Sequence, residues 1–247
     1  MPGSSPGMTI PGVCGPRVVS LPNTDMGYEL DFGALLQYLG LFLEGTAVTL
    51  GLTAIAAIVG IALSIAGAAT ASGGVGWARR LIAAYVELIR NTPFIVQMFF
   101  VYFGLPSLGL RLSAMAAAVL AMIINLTAYA IEIVRAGIEA VPVGQREAAR
   151  AFGLRPSLVF GLVVLPQALG NVYPALVSQI VITMLESAVV SQIAVVDLTH
   201  VADFIQSRNF RAFETYLVIT IVYLVLAVLV RRLLARCGRR LLAGRAA

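Results

Sequence analysis

The chain has 247 residues, of which 60% are hydrophobic and only 12% charged, and its mean hydropathy is +0.93. Those values lie outside the balance of soluble domains and mark an integral membrane protein. The net charge of +5 is carried by arginine alone, and a single histidine leaves neither a metal-ligand cluster nor a catalytic triad.

The first thirty residues crowd together Pro2, Gly3, Ser4, Ser5, Pro6, Gly7, Pro11, Gly12, Gly15 and Pro16, a composition from which no packed element is expected. They lack the basic start and continuous apolar core of a signal peptide. Met26-Gly27-Tyr28-Glu29 is an alternative beginning.

Uncharged windows then run over 45–78, 91–110, 112–131, 156–185 and 215–230, and a helix needs roughly 20 apolar residues to cross the hydrocarbon. Five transmembrane helices follow. The first window is too long for one helix and too short for a hairpin, so Ser72-Gly73-Gly74-Val75-Gly76 is expected to end it as a loop. Pro93 is expected to kink or start the second helix, with Arg90 an interfacial anchor at its entry. The last window is short, and Arg231 and Arg232 can complete it by snorkelling.

Between the third and fourth windows, residues 138–165 form a polar loop with a small helix. Gln145, Arg146, Glu147 and Arg150 share its polar side, while Ala148 and Phe152, four apart, face the other way. Gly153 can close it as a left-handed cap, and Pro166 stands where a new helix could begin.

An odd number of spans puts the termini on opposite faces. With the C-terminus cytoplasmic, the inner side collects Arg79, Arg80, Arg90, Arg135, Arg146, Arg150, Arg155, Arg231, Arg232, Arg236, Arg239, Arg240 and Arg245, leaving Arg17, Arg111, Arg208 and Arg211 outside. The 13 to 4 division of the 17 arginines follows the positive-inside rule. Topology thus accounts for the basic charge without nucleic-acid binding. It also separates Cys14 from Cys237, which excludes a disulfide between them.

The polar loop carries a specific pattern: Glu147-Ala148-Ala149, three residues, Gly153, nine residues, Val163, one residue, Leu165-Pro166. It resembles the cytoplasmic signature of permease subunits of ATP-driven (ABC) importers, departing only in Val163 where Ile is usual. Further words resemble the polar amino-acid permeases of the histidine, glutamine and arginine type. They include Gly45-Thr46 with Thr49-Leu50, Ala84 to Arg90 leading into Thr92-Pro93, Tyr102 to Pro106, Glu132 to Ile138, Val141-Pro142 with Gly144-Gln145, and Ser207-Arg208 with Phe210-Arg211 and Phe213-Glu214. Asn91 replaces a usual Gly, and Leu185 a common Lys.

The resemblance implies an all-α membrane domain over 31–240 and a short tail at 241–247. Glu147, Ala148, Ala149 and Gly153 would couple it to a separate ATPase that binds ATP and magnesium. Further implied partners are an extracytoplasmic substrate-binding protein and a second permease, alike or similar, in a bacterial inner membrane. The chain itself has no G-x-x-x-x-G-K-[ST] loop and no hydrolase motif, so it is read as a transport subunit without cofactor. The alternatives are an ion-coupled carrier using Glu132 and Glu186, or a membrane scaffold.

Two polar stripes lie within the apolar windows. Asn125, Tyr129 and Glu132 fall at helical spacing on the third, and Asn171, Gln179, Thr183 and Glu186 on the fourth, with Ser178 and Ser187 beside them. A central carboxylate costs roughly 2.5 to 3.5 kcal/mol on insertion scales, so the stripes should face each other or a water-filled path. Asn125, Gln179, Thr183, Glu186 and Ser187 are therefore candidates for the substrate route, Glu186 meeting a substrate amine. The plainer reading is helix-to-helix bonding, with Glu132 paired to Arg135. Asp197, Asp203, Arg208, Arg211 and Glu214 read as a solvated outer face of mixed charge, with His200 on its surface.

The orientation is checked by single cysteines in a cysteine-free background. Those at Ser72, Ser157 and Ala243 should be protected from a membrane-impermeant thiol reagent in intact cells, and one at Ser207 should react. The reverse labelling would invert the topology.

Overall fold

A computed structural model describes residues 30–73 and 76–243. The expectations for the Pro/Gly-rich start, the alternative Met26 beginning, Arg17, Cys14 and the 244–247 end of the tail lie outside the described residues. The described residues are helical, without a strand. In hydrocarbon a helix satisfies its own backbone hydrogen bonds, so composition selects this class.

A single turn, α1 (Gly33–Leu36), precedes α2 (Leu39–Gly73), a helix of 35 residues. The chain continues as α3 (Gly76–Arg90), α4 (Phe94–Ser107), α5 (Ala114–Glu139) and α6 (Val143–Ala151). It ends in α7 (Pro156–Ile193), α8 (Leu198–Asn209) and α9 (Ala212–Ala243). α2, α5, α7 and α9 are each long and apolar enough to cross a membrane, and α3 with α4 completes a fifth span only as a pair bent by 109°.

The first and fourth windows depart from the sequence expectation, whereas the second follows it. The first window is one long helix that begins earlier and keeps Ser72 and Gly73 helical; residues 74 and 75 of the expected loop lie outside the described residues. The second divides at Thr92-Pro93, because proline donates no N–H and pushes the residue before it out of the α region. Pro93 adopts an extended conformation and caps α4, as expected of a helix start. The fourth span begins at Pro156, so Pro166 lies inside a continuous helix. Its missing N–H is absorbed by a π-helical stretch at Val159–Val164, and a second stretch at Phe100–Gly104 precedes Pro106 in the same way.

Helices in lipid gain little from apolar contact, so close approach depends on small residues and polar bonds. Gly45 of α2 is one such point. A Cβ there would lie 2.9 Å from the Leu198 Cα of α8, and one turn on the buried Thr49 hydroxyl accepts the Leu198 N–H at 3.2 Å. The Gly45-Thr46 and Thr49-Leu50 words are thus the seat of α8.

Asp197 caps α8 by accepting the His200 N–H at 2.9 Å, and the Tyr223 hydroxyl of α9 donates to its other oxygen at 3.3 Å. Burial raises its carboxyl above the ordinary range, against the lowering effect of the His200 and Thr199 amides and Tyr223. The charges between Asp197 and Glu214 are therefore not a uniformly solvated face. Asp197 and Glu214 are both 0% exposed, Glu214 is held by Arg211 at 3.0 Å, and His200 is half-buried. Each acid is buried because it bonds a helix end or an arginine, which spacing does not reveal.

Gly45→Val must lift α8 off α2, and overpacking of this kind costs about 1–3 kcal/mol. Its melting temperature in detergent should fall clearly below the parent's. Gly51→Val, where a Cβ meets nothing within 4 Å, should leave it nearly unchanged. Equal melting of the two variants would contradict the contact.

Candidate functional site

α6 is nine residues long, and its Ala-rich sequence permits either of two faces to be buried. The structure turns Ala149 inward, 6% exposed, against Val141, Val159 and Val164, with Val134 and Ile138 of α5 in the same apolar cluster. Ala148 and Phe152, expected on the buried face, instead point outward together with Glu147, and Phe152 is 86% exposed. The buried stripe is shifted by one residue because Leu154, beyond the turn, packs back on the Ala149 side.

That return is made by Gly153, whose φ of +77° lies in the left-handed region, as the sequence predicts. The Gly153 N–H donates to the Arg150 carbonyl at 2.9 Å and the Leu154 N–H to the Ala149 carbonyl at 3.3 Å. Both belong to the two-bond closure that ends helices at a left-handed residue. Glycine takes this conformation without the steric cost of about 1–2 kcal/mol that a Cβ incurs.

Arg146, placed on the polar side by spacing, turns back so that its guanidinium donates to the Ile138 carbonyl. That carbonyl, in the last turn of α5, also accepts the Val141 N–H at 3.4 Å, and the guanidinium adds a positive charge at the negative end of the helix. α6 is therefore fastened to α5 by Arg146 and to α7 by the apolar contact of Ala149 with Val159. Nothing in the local pattern marks Arg146 for this part, since its partner is a main-chain atom.

The α5 stripe does not face the α7 stripe. Asn125 is buried and donates to the Gln97 Oε1 of α4 at 3.0 Å, and the Gln97 amide in turn donates to the Ile89 carbonyl at 2.7 Å and the Thr92 carbonyl at 2.9 Å. Gln97 thereby bonds across the bend at Pro93, a role the sequence does not announce. Tyr129 and Glu132 line a cavity of about 740 Å³ with Arg79, Glu87, Arg90 and Glu139. Glu132 pairs with Arg135 as expected, and Arg90 lies 5.5 Å from the Tyr129 ring centre, a cation–π distance.

On α7, Gln179, Thr183 and Ser187 are buried. The Ser187 hydroxyl donates to the Met184 carbonyl of its own helix at 2.7 Å, and that of Thr183 has no hydrogen-bond partner among the described residues. Glu186 is half-buried, and Asn171 and Ser178 are exposed. The substrate-route candidates are thus split, Asn125 joining α5 to α4 while only Glu186 of the α7 group keeps a partly open carboxylate.

A short helix is thus carried between two apolar spans and closed by a left-handed glycine turn. Residues 59–243 match the family described as the binding-protein-dependent transport system inner membrane component. The chain belongs to that family. The permease is 34% identical over 202 residues to the arginine transport system permease protein ArtQ of Bacillus subtilis (strain 168), covering 81% of this chain and 92% of that one. It is 33% identical over 217 residues to the glutamine transport system permease protein GlnP of Escherichia coli (strain K12), covering 86% and 98%.

A crystal structure of an amino acid ABC transporter with histidines superposes with a TM-score of 0.78 at 38% identity, covering 86% of this permease and 99% of that chain. An inward-facing MetNI methionine ABC transporter, at 20% identity and a TM-score of 0.68, shares the fold. The helical architecture and the multi-pass membrane reading are thereby shown for this permease.

A hydrogen bond from a charged donor contributes roughly 1.5–3 kcal/mol. Arg146→Ala should therefore speed amide hydrogen exchange across 143–155 by about tenfold or more, while exchange in α2 stays unchanged. Unchanged exchange in α6 would show that Arg146 does not hold it.

Proposed function

We propose that this permease is the membrane-spanning subunit of an ATP-driven importer of polar or basic amino acids or related amines. Its α6 and C-terminus face the cytoplasm, its N-terminus the outside, in a bacterial inner membrane. The observation that carries the proposal is the division of α6 into two faces. Ala149 anchors it to the spans, while Glu147, Ala148 and Phe152 are left for a partner.

That partner is a separate ATPase subunit, which binds the ATP and magnesium that this chain has no motif to hold. An extracytoplasmic binding protein delivers substrate, and a second permease, identical or similar, completes the pathway. Closure of the ATPases on ATP draws α6, and α6 is packed against the end of α5 and the start of α7. Both spans are then displaced together, which opens the route on one side as it closes on the other. The names of the arginine and glutamine relatives support the substrate class. Glu132 is neutralised by Arg135, which disfavours an ion-coupled carrier that would need it to exchange protons.

Within the route, Glu186 is the residue assigned to the substrate amine. The Leu185 before it is exposed and provides no positive charge, so a cationic group on the substrate would be the natural partner. Thr183 and Ser187 are packed inward and support the helix rather than touch substrate.

Uptake and substrate-stimulated ATP hydrolysis in vesicles containing the complete transporter test the proposal. Gly153→Asp strains the left-handed turn and Glu147→Arg reverses the charge of the outward face, so both should abolish the coupling of hydrolysis to uptake while the protein stays inserted. Normal coupling in both would sink the assignment of α6. Glu186→Gln removes a charge-assisted bond of roughly 1.5–3 kcal/mol and should lower arginine uptake by about tenfold or more, with glutamine uptake less affected. Equal transport of both by the variant and the parent would remove Glu186 from the route.

A further inference from the structure

α7 and α9 meet tightly at one level and part at the next. The Tyr173 hydroxyl of α7 donates to the Leu234 carbonyl at 2.7 Å, and its ring fills the space over Gly238 so closely that a Cβ there would lie 2.1 Å from it. Beside this contact lies a groove of about 650 Å³, walled by Gly170, Pro174, Val177 and Ala235 and flanked by Arg231 and Arg239. Tyr173 is held to α9 twice, through the Leu234 carbonyl and over Gly238, so the groove is a built feature of the crossing.

The charges around it are of one sign. α9 carries Arg231, Arg232, Arg236, Arg239 and Arg240 with no carboxylate between them, and neither Arg231 nor Arg239 has an ion-pair partner among the described residues. The two are eight positions apart, a rise of about 12 Å at 1.5 Å per residue and about 80° around the helix, and both border the groove. Their long side chains can converge on an acid between them. Apart from the two arginines only Tyr173 is polar in the groove's lining, and its hydroxyl is already donated.

We propose that this groove binds an anionic phospholipid, its phosphate between Arg231 and Arg239 and an acyl chain along Pro174, Val177 and Ala235. Apolar walls leading to paired arginines at the end of a membrane helix suit a molecule with both an acid head and a hydrocarbon tail. A zwitterionic lipid would bring its ammonium among five arginines, so selectivity for a net negative head follows from charge. A soluble phosphate would satisfy the arginines but leave the apolar walls uncovered. The site is independent of the substrate route and of α6.

The full chain, purified and delipidated in detergent, is titrated with phosphatidylglycerol, with phosphatidylethanolamine and with inorganic phosphate, and bound lipid is counted by native mass spectrometry. Phosphatidylglycerol should bind at least tenfold more tightly than phosphatidylethanolamine, and inorganic phosphate should not displace it. Arg231→Gln with Arg239→Gln should weaken binding roughly tenfold or more, whereas Arg232→Gln with Arg236→Gln, outside the groove, should weaken it less than about threefold. Ala235→Leu keeps both arginines and fills the groove, and should also lose the lipid. An unchanged melting temperature of the lipid-free variants establishes that each is folded.

Equal losses in the two arginine pairs would reduce the site to a diffuse basic surface and overturn the proposal. Displacement by inorganic phosphate would make it a soluble-anion site, and full binding by Ala235→Leu would show that the groove takes no chain. If the groove were covered instead by a second permease or another protein, the parent would bind no lipid there at all.

Discussion

A helix in hydrocarbon cannot be held to its neighbours by the expulsion of water, because lipid tails are as apolar as leucine. What remains is close backbone approach and the pairing of polar groups that would otherwise be stranded. Several junctions between the spans of this permease are of those kinds. Gly45 admits α8, and Thr49 accepts its first amide. Asn125 reaches Gln97 between α5 and α4, and Tyr173 bonds across to α9 over Gly238. These contacts hold the spans to one another at defined points.

The same constraint bears on the lever role proposed for α6. A nine-residue helix has little stability of its own, so its orientation is imposed by what it is fastened to. One turn of α6 is buried through Ala149, the Arg146 guanidinium takes a carbonyl at the end of α5, and the Gly153 turn leads directly into α7. A force applied to the exposed side therefore meets two spans at once. The outward Phe152 costs the isolated chain an exposed aromatic surface, which a partner's groove would cover.

The membrane class and the positions of the long spans were legible because hydropathy reports them directly. So was the left-handed Gly153, where a glycine ends an amphipathic stretch and no larger residue fits as easily. The inward face of α6 was not: Ala148 and Ala149 are chemically equivalent, and only Leu154 beyond the turn and the valines of α7 select between them. Pro93 and Pro166 have the same chemistry but different outcomes, a 109° bend at one and a π-helical adjustment at the other. The stripes on α5 and α7 were visible as periodicity, while their partners depended on helix rotation. The buried states of Asp197 and Glu214 were hidden for a similar reason, since a helix cap and an arginine partner replace the water each carboxylate loses.

The central claim is that α6 moves as one body with the end of α5, and spin-label distances in the assembled transporter test it most directly. Labels at Ala140 and Ala151 report the attachment of α6 to α5, and labels at Ala151 and Ser207 report its position against the opposite end of the molecule, with one permease copy labelled at a time. On ATP binding, the first distance should stay constant and the second should change. A changing first distance with a constant second would mean that α6 slides on a stationary membrane domain, contradicting the account.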